Sequence, residues 1–123
     1  MFSSLFGSKS NGGNPTAISA KEASEKLAGT PRPFLIDVRE PYEYAYAHIE
    51  GATLIPLGSL RQRLNDVPSE GEVIVVCQSG SRSQSACSAL RQAGRNAINL
   101  QGGMSAWMRS GLPVAKGDAP KRS

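Results

Sequence analysis

The sequence predicts an α/β domain built on a parallel sheet with helices on both faces. Three observations carry this. Strand-like and helix-like segments alternate from Ala20 to Arg109. The run Val73-Ile74-Val75-Val76 is β-branched throughout and is bounded by Gly71 and Gly80, as suits a central strand covered on both sides. Helix start and stop signals frame the segments between the strands.

Ser19 followed by Glu22 forms a capping box for a helix over Ala20 to Ala28, with Ala23 and Leu27 on one face and Gly29 at its end. Phe34-Leu35-Ile36-Asp37-Val38 is a short apolar run and reads as a buried strand. Pro41 opens a short helix reaching about Ala47. Thr53-Leu54-Ile55 is a second strand, closed by Pro56, and Leu57, Leu60 and Leu64 then space as one helical face. After the Val73–Val76 strand, Ser83 to Ala93 reads as a helix with Ala86, Cys87, Leu90 and Ala93 on one side and Gly94 as its stop. Ala97 to Leu100 is a last strand, and Met104 to Arg109 a last helical turn or two before Gly111 and Pro113. In such sheets ligands bind beyond the carboxyl ends of the strands, which points to the residues after Val38, Ile55 and Val76.

The 123 residues, 39% hydrophobic and 20% charged, suit one ordinary domain. A Ser-, Gly- and Asn-rich stretch over 1–15 and a Lys-, Pro- and Gly-rich stretch over 115–123 are expected as flexible tails around a domain at 16–114. A short docking role for Phe2, Leu5 and Phe6 stays open. No apolar run is long enough to span a bilayer, so no stable membrane insertion is expected. The N-terminus also lacks the basic lead and apolar stretch of a secretory signal, which makes the cytoplasm the expected compartment. Of the net charge of +4, the tails hold +3, through Lys9, Lys116, Lys121 and Arg122 against Asp118. A nucleic-acid binder would gather its bases on one folded face, so no nucleic-acid partner is expected. Two cysteines, Cys77 and Cys87, are too few for a disulfide framework, and with His48 distant in sequence no metal site is expected.

Chemistry concentrates in the loop after the central strand: Cys77-Gln78-Ser79-Gly80-Ser81-Arg82-Ser83, then a helix. A Gly- and Ser-rich loop can curl so that successive backbone N–H groups converge as an anion-binding nest. The helix that follows brings its positive end to the same point, and Arg82 adds a permanent charge. All three effects favour thiolate over thiol, so Cys77 is expected as a nucleophile of lowered pKa at the lip of the sheet. A buried structural cysteine is the competing reading for any lone Cys; the composition of this loop favours the nucleophile.

The loop resembles the active loop of rhodanese-type sulfurtransferases. Other segments agree in order: Asp37-Val38-Arg39-Glu40 with Glu43-Tyr44, Ala47-His48-Ile49-Glu50-Gly51-Ala52 with Ile55-Pro56, and Gly102-Gly103 with Ala106-Trp107. The resemblance spans 16–114 and implies a rhodanese-like fold, a central, mostly parallel five-stranded sheet with helices on both faces. It implies that Cys77 takes a sulfane sulfur from a small anionic donor, thiosulfate or a persulfide, and passes it as a persulfide to cyanide or a thiol. A sulfur-relay protein is a further partner the resemblance allows, and no cofactor is implied. A catalytically silent, partner-binding rhodanese-like module is the alternative. A cysteine-dependent phosphatase is disfavoured, because four residues separate Cys77 from Arg82 and Val76 precedes the cysteine, a ring shorter than a phosphate cradle.

Within that resemblance, Gln78 to Ser83 supply the N–H groups that hold the persulfide. Two roles stay open for Arg82: orienting the anionic donor, or pairing with Asp37. Asp37 and Arg39 are expected to brace the loop, and His48 to support a strand end. Cys87, Met104 and Trp107 are expected in the core, and Tyr42, Tyr44 and Tyr46 along a rim.

Overall fold

The structure, a computed structural model, describes residues 15–121. The expected N-terminal tail, Pro15 excepted, and the docking role of Phe2, Leu5 and Phe6 lie outside the described residues. In chain order the elements are β1 (Ala17–Ile18), α1 (Ala20–Leu27), β2 (Phe34–Asp37), α2 (Pro41–Tyr46) and β3 (Thr53–Leu54). Two 3-10 turns, Leu57–Ser59 and Leu64–Asp66, then lead to β4 (Glu72–Val76), α3 (Ser81–Gln92), β5 (Asn96–Leu100) and α4 (Gly103–Arg109). The strands form one sheet in the order β1-β5-β4-β2-β3, and every ladder is parallel.

Strand alternation divides the core into two layers. On one face Leu35, Ile74, Val76, Ile98 and Leu100 pack with Ala20 and Ala23 of α1, Tyr44 of α2, and Met104 and Trp107 of α4. On the other, Ile36, Val73, Val75 and Ala97 pack with Ala86, Cys87 and Leu90 of α3 and with Ile55, Leu60 and Val67. Each fully buried Leu, Ile or Val side chain contributes about 1.5–3 kcal/mol, so the sheet is held from both sides. The α1 capping box forms as the sequence requires: the Glu22 amide donates to Ser19 Oγ at 3.1 Å and the Ser19 amide to Glu22 Oε1 at 2.9 Å.

Three elements depart from expectation. The strand β1 was not foreseen; two residues are too few to show alternation, and β1 exists because Thr16 and Ile18 carbonyls accept the Asn99 and Gln101 amides. The leucines 57, 60 and 64 line 3-10 turns instead of an α-helical face. Neither turn has a side-chain cap, and Arg95 pins the segment by donating to the Leu64 and Val67 carbonyls. Helix α3 begins at Ser81, two residues earlier than expected, for a reason that lies in the site itself.

At the C-terminal end, His48 and Ala115 exchange backbone hydrogen bonds at 2.9 and 2.8 Å, and the Gly117 amide donates to the Ala45 carbonyl. The segment expected as a free tail from residue 115 therefore starts docked on α2 and the turn after it. No helix among the described residues is long and apolar enough to cross a membrane.

Candidate active site

Strands β2 and β4 end side by side, with Asp37 opposite Val76, so the Val38–Glu40 segment and the Cys77 loop leave the sheet together. The loop reverses at Gly80, whose φ of 105° suits glycine; a Cβ there would meet the Gly102 amide nitrogen at 3.2 Å. Through this reversal the Gly80 amide donates to Cys77 Sγ at 3.1 Å. Gly80 is also the N-cap of α3 and has no side chain with which to cap it. The Cys77 sulfur fills that role, taking the place usually held by a Ser, Thr or Asp oxygen. Helix α3 starts at Ser81 because the Gly80 carbonyl already accepts the Gln84 amide at 3.2 Å.

Burial pushes the Cys77 thiol up, but the Ser83 hydroxyl and the amides of Ser83, Gly80 and Ser79 outweigh it and hold the thiol below its ordinary range. The hydroxyl is 3.3 Å from the sulfur. Its one proton is shared between that sulfur and Oδ1 of Asn99 on β5, whose Nδ2 donates to the Gly80 carbonyl at 3.3 Å. Sequence reasoning missed Asn99. The available signal was a polar residue on the same strand face as the buried Ala97, close to the carboxyl end of β5.

The loop carbonyls are turned the other way. Those of Cys77 and Gln78 accept the Met104 and Ser105 amides at the start of α4, at 2.8 and 3.0 Å. Gly103 allows this approach, since a Cβ on it would overlap the Cys77 carbonyl oxygen and the Gln78 carbonyl group. Gln78 points inward: its Oε1 accepts from Arg39 at 3.2 Å and its Nε2 donates to Ser105 Oγ at 3.1 Å. Arg39, 3% exposed, forks onto the wholly buried Asp37 carboxylate and also donates to the Ala47 carbonyl at 2.7 Å. Asp37, Arg39, Gln78 and Ser105 thus form a continuous chain of side-chain bonds under the loop.

Arg82 does not pair with Asp37. It sits at the second position of α3, and from there its side chain leaves the loop toward α2, where Nη1 and Nη2 donate to the two carboxylate oxygens of Glu43 at 2.8 and 2.9 Å. The guanidinium holds the Glu43 carboxyl down at about 2. Asp37 is already taken by Arg39, two residues along its own chain. Lowering of the thiol pKa therefore comes from amides and a hydroxyl, with Arg82 facing a carboxylate of its own.

His48 stacks on the Tyr44 ring, centroids 3.7 Å apart, and its Nδ1 lies 2.8 Å from the Tyr44 carbonyl, so Nδ1 carries the proton. Tyr44 in turn donates to the Ala52 carbonyl. This ties α2 to the approach of β3. Tyr44 is core, and only Tyr42 and Tyr46 are exposed, which corrects the reading of all three as rim residues. Cys87 lies in the α3 core with its thiol pushed up to about 11 by burial, and neither cysteine is in a disulfide. Cys77 has no exposed area, which corrects the expectation of a sulfur open at the lip of the sheet; the sulfur faces the amides, beneath its own loop. No three His, Cys, Asp or Glu side chains among the described residues gather as a metal site would need.

A cysteine capping a helix at the carboxyl end of a central parallel strand, ringed by amides, defines a cysteine-centred α/β protein suited to holding negative charge on sulfur. The chain belongs to the rhodanese-like domain family, whose profile matches residues 19–110. A sulfurtransferase of Allochromatium vinosum is 38% identical over 98 residues, spanning 79% of this chain and 92% of that protein. Among solved structures, a rhodanese-related protein from Thermoplasma volcanium superposes with a TM-score of 0.75 at 30% identity, covering 80% of this chain and 96% of that one. A rhodanese-like domain protein from Staphylococcus aureus gives 0.72 at 33% identity, covering 75% and 90%. The fold is rhodanese-like, and the chain has a sulfur-transfer or sulfur-carrier role.

Proposed function

We propose that the chain is a sulfurtransferase in which Cys77 carries the moving sulfur as a persulfide. The observation that carries this reading is the Cys77 sulfur, set 3.1 Å from the Gly80 amide and held below the ordinary thiol range by its surroundings. With thiosulfate, the Cys77 thiolate attacks the terminal sulfane sulfur. The sulfur–sulfur bond breaks, its electron pair leaves on sulfite, and Cys77 becomes a persulfide anion. The amides of Ser79, Gly80 and Ser83 stabilise that charge as they stabilise the thiolate. Cyanide or a thiolate then attacks the outer sulfur, and the electron pair of the breaking bond returns to Cys77, restoring the thiolate. Because the sulfur has no exposed area, a donor reaches it only when the groups covering it move.

The role of Arg82, Asp37, Arg39 and His48 in this scheme is support. Arg39 and Asp37 hold Gln78, and His48 holds α2, the helix that carries the partner of Arg82.

The test is intact-mass measurement after incubation with thiosulfate and, separately, with a low-molecular-weight persulfide. Wild type is expected to gain one sulfur atom, removable by cyanide as thiocyanate, and Cys77→Ser to gain none while keeping its circular dichroism. A folded wild-type protein that takes up no sulfur from either donor would leave a partner-binding role in place of catalysis.

A further inference from the structure

Two guanidinium groups flank the Cys77 loop, and each is matched by a carboxylate. Arg39 forks onto Asp37. Arg82 is held end-on by Glu43, oxygen for nitrogen, at 2.8 and 2.9 Å. Glu43 is fixed from its own helix as well, because Oε1, which also takes Nη1 of Arg82, accepts the Glu40 amide at 2.9 Å across the first turn of α2. The carboxylate is 17% exposed and the guanidinium 37%, so the pair stands where the loop meets solvent.

We propose that Glu43 determines donor choice: by matching the charge of Arg82 it denies a small free dianion such as thiosulfate the cation it needs, and leaves the site better suited to a sulfane sulfur carried on a thiol. The inference rests on Cys77 being the sulfur acceptor. An unpaired guanidinium attracts a dianion strongly, whereas opposite charges 3 Å apart act on an outside ion only as a dipole. A persulfide donor depends less on that cation. Cys77 attacks its outer sulfur, the sulfur–sulfur bond breaks, and the electron pair leaves on the carrier thiolate, which takes up a proton. No dianion has to be held at the loop at any point.

Glu43→Gln removes the charge while its oxygen, placed as Oε1, still accepts from the Glu40 amide and from Nη1 of Arg82; its amide nitrogen is a donor and cannot accept from Nη2. The variant is expected to lower the KM for thiosulfate about tenfold with kcat unchanged. The inhibition constant of sulfate, an inert dianion, should fall in parallel, and the KM for cysteine persulfide should stay within about twofold. The gain should fade as sodium chloride is raised, since the freed charge is exposed to solvent. Unchanged thiosulfate KM and sulfate inhibition, in protein that still loads from cysteine persulfide, would overturn the role of Glu43. Should the variant fold poorly, wild type decides: a thiosulfate KM nearly flat with salt supports a matched pair, and a steep rise overturns it. If neither protein takes sulfur from any donor, the Cys77 persulfide reading falls and this inference falls with it.

Discussion

The Gly80 amide nitrogen lies 3.1 Å from Cys77 Sγ, so the N-cap residue of α3 donates to the sulfur and the helix start faces the thiolate. This relationship goes with the left-handed Gly80, and it adds to the Ser83 hydroxyl and amide, which contribute more, in lowering the thiol pKa.

Ser83 contributes to that cradle through both its hydroxyl and its amide, and substitution removes only the hydroxyl. Ser83→Ala should move the midpoint of iodoacetamide alkylation of Cys77 to higher pH and slow the reaction at neutral pH about three- to tenfold. The direction of linkage follows. A thiol whose folded pKa lies below its unfolded value adds stability above the unfolded value, and that stability is lost as pH falls through the folded one. Urea melts of wild type and variant should therefore differ more in alkaline than in mildly acidic buffer. Cys87, with its thiol raised to about 11, should stay unmodified in both. An unshifted midpoint would remove Ser83 from the account.

Gly103 and Gly94 offer a controlled comparison. Both have positive φ, 57° and 85°, but a Cβ at Gly94 has open space while one at Gly103 overlaps the Cys77 and Gln78 carbonyls. Gly94→Ala should cost about 1 kcal/mol from backbone strain alone and leave alkylation of Cys77 unchanged. Gly103→Ala should cost about 2 kcal/mol or more and slow alkylation as well, because the loop must shift off α4. Equal effects of the two substitutions would mean that the α4 contact does not shape the loop.

Asp37 and Arg39 form an ion pair with almost no solvent contact. Asp37→Asn strands the guanidinium and should cost about 3 kcal/mol in urea unfolding. Sulfur loading should also slow, since Arg39 would swing toward a new partner and release Gln78. A loss under about 1 kcal/mol would show that water reaches and solvates the pair.

Local signals made the architecture legible. The β-branched run at Val73–Val76, the Ser19/Glu22 capping box and the alternation of segments are each short-range, and each formed as the residues require. What stayed hidden depends on partners distant in the chain. Strand β1 has only two residues and exists through its pairing with β5. The turn at Leu64–Asp66 is pinned by Arg95, roughly thirty residues on.

The same division runs through the site. By itself the sequence determined that Cys77 follows a central strand, enters a Gly- and Ser-rich loop and precedes a helix, because those properties reside in neighbouring residues. Only the tertiary structure decided which carboxylate meets Arg82, that Asn99 steers the Ser83 hydroxyl, and that the thiol lies beneath its own loop. Charge pairing and burial depend on where distant segments come to rest, and in a parallel sheet every neighbouring strand arrives from a remote part of the chain.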